Sequence, residues 1–260
     1  LVCIHGYPTA GWDFHKVWPA LVARFDVVAP DMLGFGFTDK PAGHAYSMVE
    51  QADLHVALLA ELGITEAHLL CHDYGVSVGQ ELLAQHAEKR SPRWLSITFL
   101  NGGLLPEMHR ARPIQKLLAS RFGPLVSRLS GPRRFKASLA SVFGPDTQPS
   151  DGELTQFYAL VERGGGKRAL AELIAYMAER RAQRGRWVGA LLKTPVPLRM
   201  INGVHDPVSG EHLVDRMEQL RPGIDTVRLP VGHYPQVEAP AEVLEAFLAF
   251  TSRVDPRVRA

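Results

Sequence analysis

The stretch Ala67–Gly79, AHLLCHDYGVSVG, constrains this chain more than any other. An apolar run, Leu69-Leu70-Cys71, stops at His72-Asp73-Tyr74-Gly75, and the helical spacing of Val78, Leu82 and Leu83 begins at once. A short apolar run that gives way to a 3.6-residue period with no loop between them reads as a buried strand, a sharp turn and a helix. Asp73 stands at the apex of that turn. Cys71 and Gly75, two residues to either side, are small enough for the backbone to bend tightly there. The turn therefore presents a carboxylate at the end of a strand, where a reacting group would stand.

The rest of the chain repeats the strand-then-helix rhythm. Leu1–Ile4 reads as a strand running into the turn His5-Gly6-Tyr7-Pro8, where Tyr7-Pro8 is a candidate cis bond. An amphipathic helix over His15–Phe25 and a strand over Asp26–Ala29 follow, and Gly34–Asp39 makes a glycine-rich loop without the third glycine of a dinucleotide fingerprint. Helix Met48–Leu62, strand Ala67–Cys71, helix Val76–Ala87 and strand Trp94–Leu100 complete the first half. Such alternation predicts an α/β fold with a mostly parallel sheet and right-handed crossovers. From Leu104 to Leu192 the pattern changes to short helical segments broken by Pro and Gly, with no convincing strand. Residues 1–103 and 193–260 are thus expected to form one core, and 104–192 a helical cap inserted into it. In the second core segment, Pro197–Ile201 and Thr226–Leu229 read as strands and Ala241–Arg253 as the closing helix. At 260 residues and 46% hydrophobic, the chain can fill one such core.

Asp73, Asp206 and His233 each fall just past a predicted strand. In an open parallel sheet the carboxyl ends of the strands are where ligands bind. Asp, with an ordinary pKa near 3.9, is an anion at pH 7 and attacks a saturated carbon without needing a base. The product is an alkyl ester of Asp73, and hydrolysing it requires an activated water. His233, of a residue type titrating near 6.5, is matched to that task, with Asp206 fixing its tautomer.

The motifs His5-Gly6-Tyr7-Pro8, His72-Asp73-Tyr74-Gly75, Gly203-x-x-x-Asp206-Pro207 and Gly232-His233-Tyr234-Pro235 resemble the epoxide hydrolase and haloalkane dehalogenase branch of the α/β-hydrolases, over nearly the whole chain. The resemblance implies an α/β-hydrolase fold and an oxyanion hole from the backbone N–H groups of Tyr7 and Tyr74. It also implies a lid tyrosine that protonates the opening epoxide, Tyr176, with Tyr158 as a second donor. His5, Pro8, His72, Asn101 and Tyr234 are expected around the substrate, with His5 and His72 at that edge chiefly as hydrogen-bonding partners of the turns. A halide would instead want side-chain N–H donors, and the chain carries Tyr74 and Tyr7 where dehalogenases often have Trp and Asn. Epoxide opening to a vicinal diol is therefore favoured, with dehalogenation as the alternative.

Two other readings stand beside it. Gly75-Val76-Ser77-Val78-Gly79 matches the Gly-x-Ser-x-Gly of serine esterases, although Ser77 falls one helical turn beyond the strand end. A hydrolase fold kept as a binding module is the other. The net charge of +2 gives no reason to invoke nucleic acid, and the cluster Arg180, Arg181, Arg184 and Arg186 reads as a solvated helix face. No cofactor or metal is implied, only a small apolar substrate and water. Two cysteines in apolar runs suit a reducing, cytoplasmic setting. No apolar span reaches membrane length, although the chain opens inside a strand and its native N-terminus is expected to be longer.

Overall fold

The computed structural model describes residues 1–258. Five parallel strands, β1 (Val2–Ile4), β2 (Glu66–Asp73), β3 (Arg93–Gly102), β4 (Leu198–Gly203) and β5 (Asp225–Leu229), lie side by side in chain order. Strands β2 and β3 are buried on both faces, which is why β2 reads as an unbroken apolar run. Alternate residues serve opposite layers. Leu69 and Cys71 join a cluster with Val76, Leu82, Trp94 and Trp187, while Leu70 packs with Phe14, Leu100, Ile201 and Phe247 on the other side.

With strands in sequential order, right-handed crossovers place their helices on one face of the sheet. Helices Met48–Glu61, Tyr74–Ala87 and Glu211–Leu220 supply that layer. The opposite face is covered by helix Pro240–Val254, through Val243 and Phe247, together with the segment containing Phe14 and Leu21.

Two expected elements shrink. The helix anticipated over His15–Phe25 is a 3-10 turn at Gly11–Phe14 and a five-residue helix at Trp18–Val22, because Pro19 fits only the first turn and fixes where the helix starts. The strand anticipated at Asp26–Ala29 is a single parallel bridge of Val28 to Val2, held by two backbone hydrogen bonds of 2.9 Å. Between β3 and β4 every described element is helical. Among the described residues no helix is long and apolar enough to cross a membrane.

Among the ties between the inserted segment and the core, two are built on buried or half-buried glutamates. Helix Arg184–Lys193 packs along helix Tyr74–Ala87. There the buried Glu81 carboxylate accepts from Arg186 Nε (2.7 Å) and Nη2 (2.8 Å), Trp187 Nε1 (2.7 Å) and Gln85 Nε2 (3.2 Å). At the other end Glu238 accepts from the N–H groups of Gly144 (2.8 Å), Gly232 (2.7 Å) and Tyr234 (2.8 Å). Arg186 is 31% exposed and keeps Glu88, but the buried Trp187 indole N–H loses its acceptor, so Glu81→Ala is expected to cost about 1–3 kcal/mol. Urea unfolding measures this, and a loss below about 1 kcal/mol, the range of surface pairs, contradicts a clamping role for Glu81.

Candidate active site

The site is built on a strained turn. Asp73 has φ 45° and ψ −104°, one of two non-glycine residues with positive φ among those described. A side chain held there costs on the order of 1–3 kcal/mol and persists only where the surroundings over-determine it. They do so here. Gly75 N–H donates to the His5 carbonyl (3.0 Å), and a Cβ at Gly75 would collide with the carbonyl of Ile4. A Cβ at Gly102 would lie 2.8 Å from the Asp73 carbonyl oxygen. Arg180 closes the turn from the cap: its Nη2 donates to the Asp73 carbonyl (3.2 Å) and its Nε to Ser77 Oγ (2.7 Å).

The two oxygens of the Asp73 carboxylate face different partners. Oδ2 accepts the Tyr7 N–H at 2.9 Å, whereas Oδ1 lies 3.7 Å from His233 Nε2 and 4.0 Å from Arg180 Nη2. The Tyr7–Pro8 bond is cis. The turn that aims Tyr7 is held by the buried Asp13, which accepts from Gly6 N–H (3.0 Å) and the Thr9 hydroxyl (2.8 Å). The Tyr74 N–H, at the first position of its helix, has no intrahelical acceptor.

His233 Nδ1 lies 2.7 Å from Asp206 Oδ2. Asp206 also accepts from the Val208 N–H (2.7 Å), the Ser209 N–H (3.1 Å), the Ser209 hydroxyl (2.6 Å) and Asn101 Nδ2 (3.0 Å). Burial opposes its charge, but His233 and these donors outweigh burial and hold the carboxyl below the usual carboxylate range. Burial likewise opposes the imidazolium of His233, yet the carboxylates of Asp206 and then Asp73 push it up to about 9.

A cavity of about 360 Å³ opens over this pair, bounded by Tyr7, Pro8, Asp73, His233 and Tyr234 below. Apolar cap residues, among them Leu118, Val126, Phe135 and Leu139, form its roof. Three residues expected around the substrate do not line it. His5 receives the Met32 N–H, His72 bridges the His233 carbonyl (2.8 Å) and Asp13, and Asn101 steadies Asp206, because each points along the sheet edge into the loops rather than outward. Tyr158 is also outside: its hydroxyl donates to Glu162 (2.8 Å) one helical turn away and its ring packs on Phe135.

Tyr176 lies closer. Its ring packs on Tyr7 and Tyr74, each at 5.5 Å, and its hydroxyl oxygen accepts from Gln115 Nε2 (3.0 Å), a cavity residue. Burial and the Asp73 charge raise its pKa, against the pull of the Arg180 guanidinium 4.5 Å above the ring centroid.

Sequence reasoning missed Arg180, which it placed on a solvated face; the side chain is 2% exposed. Of that cluster Arg181 is exposed, Arg184 pairs with Glu107 at the surface, and Arg186 binds Glu81. The available signal was spacing, since Arg180 follows Tyr176 by four residues and shares its face. His109 was missed too: both ring nitrogens are buried without a partner, and burial, reinforced by Arg180, brings it down to about 4, so it is neutral at pH 7.

Comparison with known proteins agrees with this architecture. Residues 1–240 match the family model described as alpha/beta hydrolase fold. The chain is 40% identical over 260 residues to the mesoderm-specific transcript homolog protein of Homo sapiens, covering 96% of this chain and 78% of that protein. Among solved structures, the epoxide hydrolase CorEH superposes with a TM-score of 0.78 at 18% identity, covering 97% of this chain and 91% of that one. A haloalkane dehalogenase variant from Bradyrhizobium elkanii gives 0.80 at 17% identity, covering 98% and 89%. At such identities these two structures share the fold.

The charges of the site set a pH dependence. His233 is raised from 6.5 to about 9 by folding, so its stabilisation is complete below about pH 6.5 and is lost as pH climbs through 9. Asp206, lowered by folding, contributes above its ordinary 3.8, outside that window. The melting temperature is expected to fall between pH 6.5 and 9 and to flatten in His233→Gln. Equal slopes in the two proteins would show that the pair is not coupled to folding.

Proposed function

The chain belongs to the α/β-hydrolase family, and we propose that within it this protein opens epoxides to vicinal diols through an ester on Asp73. The observation that carries the reading is the division of labour between the two Asp73 oxygens, one held by a backbone N–H and the other facing His233.

In the first step Asp73 Oδ1 attacks an epoxide carbon and the C–O bond of the ring breaks. The departing alkoxide takes the Tyr176 proton; Gln115 donates to the same phenol oxygen and steadies the phenolate, with Arg180 over the ring. Esterification removes the Asp73 charge. His233 then loses one of the two carboxylates that keep it protonated, so its pKa falls; its resting proton passes to the Tyr176 phenolate, and the neutral ring can take a proton from water. Asp206 holds the ring throughout.

Water attacks the ester carbonyl carbon, and negative charge develops on Oδ2. The Tyr7 N–H already donates to that oxygen and Tyr74 supplies the second donor, each worth about 3 kcal/mol in such sites. Collapse expels the diol oxygen, which takes the remaining water proton from the Asp73 carboxyl; the Asp73 carboxylate is restored and His233 is left protonated, as at the start.

The serine esterase reading finds less support. Ser77 is fully buried inside helix Tyr74–Ala87, and its hydroxyl oxygen accepts from Arg180 rather than facing His233.

Incubation with styrene oxide and with 1-bromobutane, assayed for diol and for bromide, separates the two leaving groups. Diol is expected, and bromide release alone would reverse the ranking. His233→Gln should accumulate protein heavier by the mass of one intact substrate, and Asp73→Asn should show neither adduct nor turnover. Turnover that survives Asp73→Asn and disappears in Ser77→Ala would establish the esterase instead.

Tyr176→Phe is expected to slow ester formation by about 10²–10⁴, the usual contribution of a positioned acid, and to leave ester hydrolysis unchanged. Single-turnover mass spectrometry resolves the two steps. An unaltered first step would remove Tyr176 from the mechanism.

A further inference from the structure

The outer surface of the cap is unlike the rest of the molecule. Helices Pro113–Leu118 and Gly123–Leu129 and the turn between them expose Leu117 (44%), Phe122 (51%), Leu125 (56%) and Leu129 (66%), four of the nine large apolar side chains exposed among the described residues. Leu117 and Leu129 also line the active-site cavity, so the cavity reaches the surface in the middle of this apolar patch.

The same stretch is strongly basic. Between residues 108 and 145 there are eight Lys and Arg and no Asp or Glu. Arg110, Lys116, Arg121, Arg128, Arg133 and Arg134 are exposed, and none makes an ion pair among the described residues. The imbalance extends over the molecule: residues 104–192 hold 15 basic and 7 acidic residues, a charge of +8, which leaves −6 on the remainder of a chain of net +2. Such a dipole turns the cap toward a negatively charged surface and the core away from it.

We propose that this face of the cap docks on the surface of an anionic phospholipid bilayer, so that the cavity opens toward lipophilic molecules dissolved in the membrane. Exposed Leu and Phe beside unpaired Lys and Arg are the composition of surfaces that lie in the headgroup region. The apolar side chains reach the acyl boundary while the cations meet phosphate. A second copy of the chain is disfavoured, because a two-fold interface would set eight cations against eight. A nucleic acid satisfies the charges but leaves the four apolar side chains and the cavity mouth uncovered. An acidic protein would plug the one opening identified. The docking does not depend on the reaction; that the membrane-dissolved molecule is an epoxide rests on the function proposed above.

Flotation with phosphatidylcholine vesicles, with and without phosphatidylglycerol, tests the docking. The full chain is expected to float with the phosphatidylglycerol vesicles, to stay behind with phosphatidylcholine alone, and to be released by salt. Each cation near such a surface is worth about five-fold in partitioning, about 1 kcal/mol, so Arg121→Glu with Arg128→Glu should reduce binding by about 25-fold or more. Phe122→Ser with Leu125→Ser should weaken binding while leaving turnover of a water-soluble substrate unchanged. Leu125→Trp, a milder change, should give an emission blue shift on adding vesicles.

The proposal is overturned if the wild-type chain fails to float on anionic vesicles. It is equally overturned if both double variants float like wild type, if the Trp emission is unmoved, or if sedimentation reveals a dimer that Phe122→Ser with Leu125→Ser dissolves. Asp73→Asn should float normally. Flotation without any epoxide turnover by the wild-type chain would sink the reaction and keep the docking face; diol formation without flotation would do the reverse.

Discussion

Everything in the site depends on how closely two turns approach one another. The bend at Asp73 presses its backbone against the end of β1, where Gly75 alone fits beneath the Ile4 and His5 carbonyls. That contact delivers the Tyr7 N–H to one oxygen of the carboxylate and leaves the other facing His233 and Arg180. The positive φ at Asp73 is the strain stored by this arrangement, and Gly75, Gly102 and Arg180 are the surroundings that maintain it.

Charge balance around the bend explains why so much of it is buried. Asp73, Asp206, His233 and Arg180 all sit within a few per cent of full burial. Two anions face one guanidinium and one imidazole held protonated by its neighbours. Such a set is tolerable in a low-dielectric interior because every charge has an opposite partner and most have several donors or acceptors. It is also responsive. Any chemistry that neutralises Asp73 releases its grip on His233, which converts a resting cation into a base at the moment a base is required.

Patterns of hydrophobicity and turn residues were enough to read the sheet, the elbow and the strand ends that carry Asp73, Asp206 and His233, because those features follow from local periodicity. The helix at His15–Phe25 failed on Pro19, and the strand at Asp26–Ala29 lacks a partner along most of its length. Within the site, legibility stopped where a residue's role is set by what lies opposite it. Only its four-residue spacing from Tyr176 distinguishes Arg180, buried over that ring, from Arg181, which meets solvent. His5 and His72 hold the turns, as their place beside Gly6 and Asp73 suggests, whereas Asn101 serves Asp206 and the Gly203 loop rather than the cavity. Tyr158 is spent on Glu162. Unpartnered His109 has no sequence signature at all.

One tether described with the fold limits how the enclosure can open. Glu238 grips Gly144 in the cap, along with Gly232 and Tyr234, and the His233 N–H hangs on the Val142 carbonyl at 2.9 Å. Lifting the cap at this corner would drag the imidazole out of alignment with both carboxylates. The corner of the cap that carries Val142 and Gly144 is thus part of what keeps the imidazole of His233 in line with Asp206.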